Sequence, residues 1–230
     1  MDGILLVDKP AGWTSHDAVA KVRSILKHGT GQKVKVGHTG TLDPFATGLL
    51  VLVLGSYTKR AGEFSKLDKV YEAELTLGAV SSTGDIEGEI TRKSAQKPAE
   101  DAVKGVLSTF LGRIEQIPPQ YSAVKIGGQR AYKLARAGKE VKIGPRKVKI
   151  HRITDVKYDY PKLKFTCKVS SGTYIRSLAA DIGEKLGTGA YLSGLRRTQV
   201  ADFSVDNTRS IDKITYNDII MLVRQTPPKA

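Results

Sequence analysis

Cysteine occurs once in these 230 residues, at Cys167, so neither an internal disulfide nor a cysteine-cluster zinc site can form. The four histidines, His16, His28, His38 and His151, lack metal-ligand spacing with one another. Phosphate-binding and nucleophile signatures are missing too. No GxxxxGK[ST], no strand–GxGxxG–helix and no GxSxG occurs, which removes P-loop, dinucleotide and serine-hydrolase chemistry of those types. No apolar run approaches the ~20 residues that a membrane helix needs. MDGILLVDKP has a short apolar run with no basic region before it and no small-residue cleavage site after it, so it reads as a first strand. The expected setting is the cytoplasm, without membrane contact.

Acidic residues are scarce relative to basic ones. Lys and Arg number 37 against 23 Asp and Glu, a net charge of +14, and a surplus of that size favours a polyanionic partner such as nucleic acid. Its distribution sharpens the point. Lys125 to Arg152, KIGGQRAYKLARAGKEVKIGPRKVKIHR, holds ten Lys or Arg and one acid, Glu140. A surface charged only for solubility would intersperse the signs. This one reads as a phosphate-facing patch.

The rest of the composition, 40% hydrophobic and 26% charged, is that of a folded globular chain rather than a disordered one. GILLVDKP reads as a strand. Thr14 and Asp17 stand in capping-box spacing ahead of a helix with Ala18, Val22, Ile25 and Leu26 on one face. Leu49 to Gly55 is a short buried-strand run. Tyr71, Ala73, Leu75 and Leu77 alternate as one face of a strand, and Leu163, Phe165, Cys167 and Val169 as another, which makes Cys167 a buried structural thiol. Pro98 is expected to begin a helix carrying Val103, Val106, Leu107 and Phe110. Ile175, Leu178, Ala179, Ile182 and Leu186 form a helical stripe with Gly187 as its C-cap, and Ile211 to Arg224 a final helix before a Pro-Pro tail. Strands and helices alternate irregularly, with connections too short for helical crossovers. The class is mixed, largely antiparallel α+β.

GHTGTLDPFATG, residues 37–48, contains only two ionisable side chains, His38 and Asp43. Asp43-Pro44 has a plain structural reading, an N-cap followed by a proline in the first helical turn. It has a chemical one as well. A Gly- and Thr-rich loop lets backbone approach a ligand and present the carboxylate to it. An aspartate with the ordinary pKa of about 3.9 is ionised at neutral pH and needs no base to become a nucleophile. His38 could be an ordinary loop residue, Tyr71 and Tyr174 core aromatics, and Arg176 a surface charge.

Taken together these residues amount to a resemblance. GHTGTLDPFATGLL closely resembles the catalytic loop of the TruB family of pseudouridine synthases, which modify the T-loop uridine of tRNA at position 55. LLVDKPAGWTS, LGSYTK, KVYEAELTLG, STGDIEGE, IEQIPPQYSAVKIGG, SSGTYIRSLAADIGEKLG and YLSGLRRTQV extend it, in the family's order, over nearly the whole chain.

The resemblance implies a pseudouridine synthase fold, a bent mixed sheet flanked by helices, as a single catalytic domain over residues 1–230 with a basic thumb at about 124–152. Asp43 would be the catalytic aspartate. Tyr71 would pack on the target base and assist proton transfer. Arg176 would pair with Asp43, and Tyr174 would line the same pocket. Leu195 would form an apolar floor under the base, His38 would attend the everted nucleotide, and Lys59 would lie beside the RNA. Arg146, Lys147 and Lys149, in the thumb, would meet phosphates; alternation puts Lys147 and Lys149 on one face. Family members commonly carry a PUA domain after the catalytic part, and this sequence is expected to lack it. No metal or organic cofactor and no obligate protein partner is implied; the expected partner is the T-arm of tRNA, and the expected state a monomer. A lone carboxylate suits an isomerisation from which water must be kept, whereas paired carboxylates serve hydrolysis. Attack on the sugar, addition to the base and removal of a sugar proton are all open to Asp43. Two rival readings are a non-catalytic RNA-binding chaperone of tRNA folding and a guide-RNA-dependent synthase in a ribonucleoprotein.

Overall fold

The computed structural model describes residues 1–122, 124–137 and 143–224; part of the basic segment, 138–142, and the Pro-Pro tail lie outside the described residues. In chain order the elements are β1 (Gly3–Lys9), α1 (Ser15–Thr30), β2 (Val36–His38), β3 (Thr47–Leu54), α2 (Ala61–Ser65), β4 (Lys69–Leu77), β5 (Ala79–Ser81) and β6 (Ile90–Arg92). There follow α3 (Glu100–Ser108), β7 (Gly112–Gln116), β8 (Lys125–Ile126), β9 (Gln129–Arg130), α4 (Ala131–Arg136), β10 (Arg146–Asp159) and β11 (Lys162–Val169). The last are α5 (Ile175–Lys185), β12 (Ala190–Val200), β13 (Phe203–Ser204), β14 (Arg209–Ser210) and α6 (Tyr216–Leu222). The chain forms two compact units, Met1–Glu72 with Leu195–Ala230, and Ala73–Gly194. The class is α+β, as expected.

In the first unit β1 pairs antiparallel with β3, from Gly3 opposite Leu54 to Lys9 opposite Gly48. Along its other edge β1 runs parallel to β14, and β3 runs parallel to β12 through Thr47 and Arg196. Leu49 to Leu54 are all buried, because a strand covered on both faces reads as a continuous apolar run rather than an alternating one. Ile4, Leu6, Leu49, Val51, Val53, Phe64, Val200 and Phe203 form a common core. Helix α1 starts where the capping box predicts, with the Asp17 amide donating to Thr14 and the Thr14 amide to Asp17. It ends at Gly31, whose left-handed φ of 70° lets its amide close on the Lys27 carbonyl.

The final helix is shorter than the apolar pattern of 211–224 suggests. Arg209 and Ser210 pair with β1, and the Ile211 amide donates to the Asp8 carbonyl, so this stretch is spent on the sheet. A second capping box, Thr215 with Asp218, then starts α6 at Tyr216. Arg224 lies beyond it and exchanges both backbone hydrogen bonds with Ile4.

In the second unit β11, β10 and β7 form an antiparallel set, and β11 buries Leu163, Phe165, Cys167 and Val169 while its lysines stay exposed. Helix α3 begins at Glu100 rather than Pro98: Ala99, in extended conformation, is its N-cap and accepts from the Val103 amide, and the Pro98 carbonyl accepts from the Tyr158 hydroxyl. Helix α5 buries Ile175, Leu178, Ala179 and Ile182; Gly187, with φ 69°, follows its C-cap Leu186. The described part of the basic segment is the β8–β9 hairpin, then α4, then the start of β10.

Candidate active site

Asp43 does not cap a helix. After a short turn, in which the Ala46 amide donates to the Asp43 carbonyl, the chain enters β3 directly. The N-cap reading of Asp43-Pro44 is therefore overturned. What fixes the loop instead is a set of side chains distant in sequence that satisfy its backbone. Ser15 Oγ donates to the Leu42 carbonyl and accepts from the Leu42 amide, at 3.1 and 2.8 Å. Lys9, fully buried at the end of β1, spreads its ammonium over the carbonyls of Pro10, Trp13 and Pro44. Arg197, 2% exposed on β12, donates to the carbonyls of Leu49, Gly40 and Thr41. Leu42 and Ala46 are buried on either side of Asp43, which stays half-buried. Ammonium and guanidinium groups can lie this deep because each faces carbonyl oxygens.

The same unit carries four more of the expected residues. His38 ends β2 opposite Leu52 and is half-buried. Lys59 is exposed on the 3-10 turn that follows β3. Tyr71, on β4, is 8% exposed. Leu195 is half-buried on β12, two residues before Arg197 and beside Arg196, whose guanidinium makes a two-point pair with Asp8 on β1. Two residues before Tyr71, Lys69 donates to the carbonyls of Ser65 and Leu67. Burial, and secondarily the charge of Arg197, pushes the Lys69 ammonium down to about 8.

The second unit presents Tyr174 and Arg176 at the start of α5. Sequence reasoning missed their supports. The buried amide of Gln116, at the end of β7, accepts from the Tyr174 amide and donates to the Tyr174 carbonyl, at 2.8 and 3.1 Å. The Tyr174 side chain packs against the buried pair Val124 and Ala131, as do Leu134 and Ile143, at the base of the basic segment. Arg176 is buried and forms an ion pair with Asp85, besides donating to the carbonyls of Thr83 and Tyr121. The family resemblance implies that Arg176 pairs with Asp43; within its own unit Arg176 also pairs with Asp85. Asp85 in turn accepts from the Thr83 hydroxyl and the Glu87 amide. Its one signal in the sequence was its place in STGDIEGE.

Arg146, Lys147 and Lys149 are all exposed on β10, while Val148 and Ile150 are buried. Lys147 and Lys149 share the outward face, as alternation requires; Arg146 is exposed as well because the strand only begins there. Among the described residues no group of three His, Cys, Asp or Glu converges as a metal-ligand set.

Comparison with known proteins gives a consistent result. A family model described as TruB family pseudouridylate synthase (N terminal domain) matches residues 26–175, and one for the tRNA pseudouridylate synthase B C-terminal domain matches residues 176–226. The chain is 46% identical over 214 residues to a tRNA pseudouridine synthase B of Cupriavidus metallidurans, covering 92% of this chain and 67% of that protein. A tRNA pseudouridine synthase B of Thermobifida fusca is 46% identical over 231 residues, covering 96% of this chain and 76% of that one. Among solved structures, a chain from a Cbf5-Nop10-Gar1 complex aligns with a TM-score of 0.70 at 32% identity; 95% of this chain is covered, and about half, 54%, of the other.

Proposed function

The chain belongs to the TruB family of pseudouridylate synthases, and from that premise we propose that it converts the T-loop uridine of tRNA, position 55, to pseudouridine with Asp43 as the catalytic carboxylate. The observation that carries the assignment of Asp43 is the loop around it. Its backbone is held on both sides by Ser15, Lys9 and Arg197, so the carboxylate is presented from a fixed frame that serves no helix. Pre-organisation of that kind is what a reaction with one protein carboxylate requires.

In the reaction the C1′–N1 bond breaks, the base turns and C5 joins C1′, while the proton on C5 is lost and N1 gains one. Atoms balance without water or an external reagent. The uridine leaves its stack, at a cost of a few kcal/mol, and stacking on Tyr71 at ~1–3 kcal/mol contributes to offsetting that. Arg176 with Tyr174 and Gln116, and His38 with Leu195, are the positioning and base-contacting groups. Under this reading residues 1–230 act as one catalytic domain and 124–152 as its RNA-facing thumb, with Arg146, Lys147 and Lys149 on phosphates and Lys59 beside the RNA. The 46% identity to proteins named tRNA pseudouridine synthase B favours tRNA as the substrate.

The test is to map pseudouridine in tRNA incubated with the purified protein and with Asp43→Asn, which keeps the side chain's shape and removes its charge. Wild type should modify one T-loop uridine. The variant should fold, bind tRNA and form no product. Substantial turnover by Asp43→Asn would remove the catalytic role.

A further inference from the structure

A groove of about 650 Å³ opens in the first unit, away in sequence from the basic thumb, between the last turns of α1 and the segment leading into β2. Arg23, Lys27 and His28 line one wall, Lys33 and Lys35 the other, and Thr58 closes one end. Among the described residues no carboxylate lines it. The Arg23 guanidinium is held by the Val36 carbonyl, which ties one wall to the other. The His28 ring is tied through Nδ1 to the Ser24 carbonyl, leaving Nε2 for another partner. Five side chains able to carry positive charge therefore share one concavity. Their mutual repulsion is offset only in part by the carbonyl end of α1. An anion in the groove would relieve it.

We propose that this groove binds the sugar-phosphate backbone of the substrate RNA, as a second grip separate from the thumb; this rests on the reading of the protein as a tRNA-modifying enzyme. Two features favour a polynucleotide backbone over a free nucleotide. Among the described residues the lining holds no Phe, Tyr or Trp, and so offers no aromatic face on which a base would stack. Lysines dominate, and they act on phosphate as mobile point charges rather than as readers of base edges. Continuity with the candidate site is the third support. Val36 and Gly37 belong to the strand that ends at His38, about 7 Å along at strand spacing, and Thr58 precedes Lys59. A strand of RNA passing His38 and Lys59 would enter the groove without a gap.

The experiment compares wild type with the triple variant Lys27→Gln, Lys33→Gln, Lys35→Gln, and with a control triple, Lys66→Gln, Lys157→Gln, Lys213→Gln, which removes the same charge from exposed positions outside the groove. Affinity for full-length tRNA is measured across a salt series. The groove variant should bind about tenfold more weakly at moderate salt and show a log–log slope flatter by roughly two, at about 0.7–0.9 per phosphate contact; the control should stay near wild type. Site-directed crosslinking supplies an independent readout. Cys167 is buried, so a probe on Ser24→Cys, exposed on the groove wall, can be attached selectively and should crosslink to tRNA. An unchanged slope in the groove variant, with or without a crosslink, overturns the proposal. So does AMP binding that the groove variant loses while its RNA slope stays intact, since that would make the groove a nucleotide pocket. Pseudouridine formation by wild type on the same tRNA is scored separately. If it fails while the slope still flattens, the enzymatic reading falls and the RNA groove stands.

Discussion

Nη1 of Arg176 lies 3.4 Å from Oδ2 of Asp85, and both side chains are almost wholly buried. A buried pair of this kind contributes little net stability over an apolar pair of the same shape, yet breaking it strands a charge. Asp85→Ala should therefore cost about 3 kcal/mol of stability and slow product formation, because Arg176 would lose one of the groups that orient it. Denaturant unfolding and single-turnover assays check both. A variant of normal stability and normal rate would show that the pair is incidental to both.

Tyr71→Phe and Tyr71→Ala should part company. The ring is buried, so its removal leaves a cavity and should destabilise the fold by about 3–5 kcal/mol, while Phe retains the packing. Tyr71→Phe should bind tRNA nearly as well as wild type and form product more slowly. Equal, near-wild-type turnover in both variants would reduce Tyr71 to a core residue.

Gly48 stands where β3 meets β12, with φ +102°, and a Cβ there would lie 2.3 Å from the Arg197 carbonyl oxygen. Backbone cannot step aside as a side-chain tip can. Gly48→Ala should lower stability by about 2 kcal/mol or more. Because the guanidinium of Arg197 holds the carbonyls of Gly40 and Thr41, turnover measured well below the variant's melting point should fall as well. Thermal unfolding together with a low-temperature assay separates the two effects.

Asp181, on α5, is pushed up to about 6 by burial first and the neighbouring carboxylate of Glu184 second, against the opposing charge of Lys185. Its folded form holds a proton at pH values where the unfolded chain, near 3.8, has already lost it. The stability it contributes is complete below about 3.8 and is lost as pH rises through about 6. Asp181→Asn should raise the melting temperature at pH 8 by on the order of a few degrees and leave it unchanged at pH 3.5. Thermal scans of both proteins at the two pH values decide the matter.

Helix α1 was legible because its capping box and apolar face are local. The same logic overextended α6 to Ile211–Arg224, but pairing of Arg209 and Ser210 with β1, and of the Ile211 amide with Asp8, claims the start of that stretch first. Asp43-Pro44 misled for a related reason. Locally it is a good helix start; the bonds that hold it open come from Lys9, Ser15 and Arg197, none of which is near in sequence to the loop's end. Gln116 and Asp85 were invisible as supports of Tyr174 and Arg176, because each acts across some 60 to 90 residues of chain. Family resemblance, by contrast, pointed to the candidate residues through motifs spread over the whole sequence.

Strand β1 lies against partners that the second unit separates in sequence: β3 on one edge, and β14 with Arg224 on the other. During synthesis β1 emerges before the 122 residues of Ala73–Gly194, and β14 and Arg224 emerge after them. Arg197, which grips the Asp43 loop, arrives in the same late segment. The inserted unit can close as it is made, whereas the unit bearing Asp43 waits for the residues that follow Gly194. A nascent or truncated chain that stops before residue 195 thus carries the candidate carboxylate without the frame that aims it.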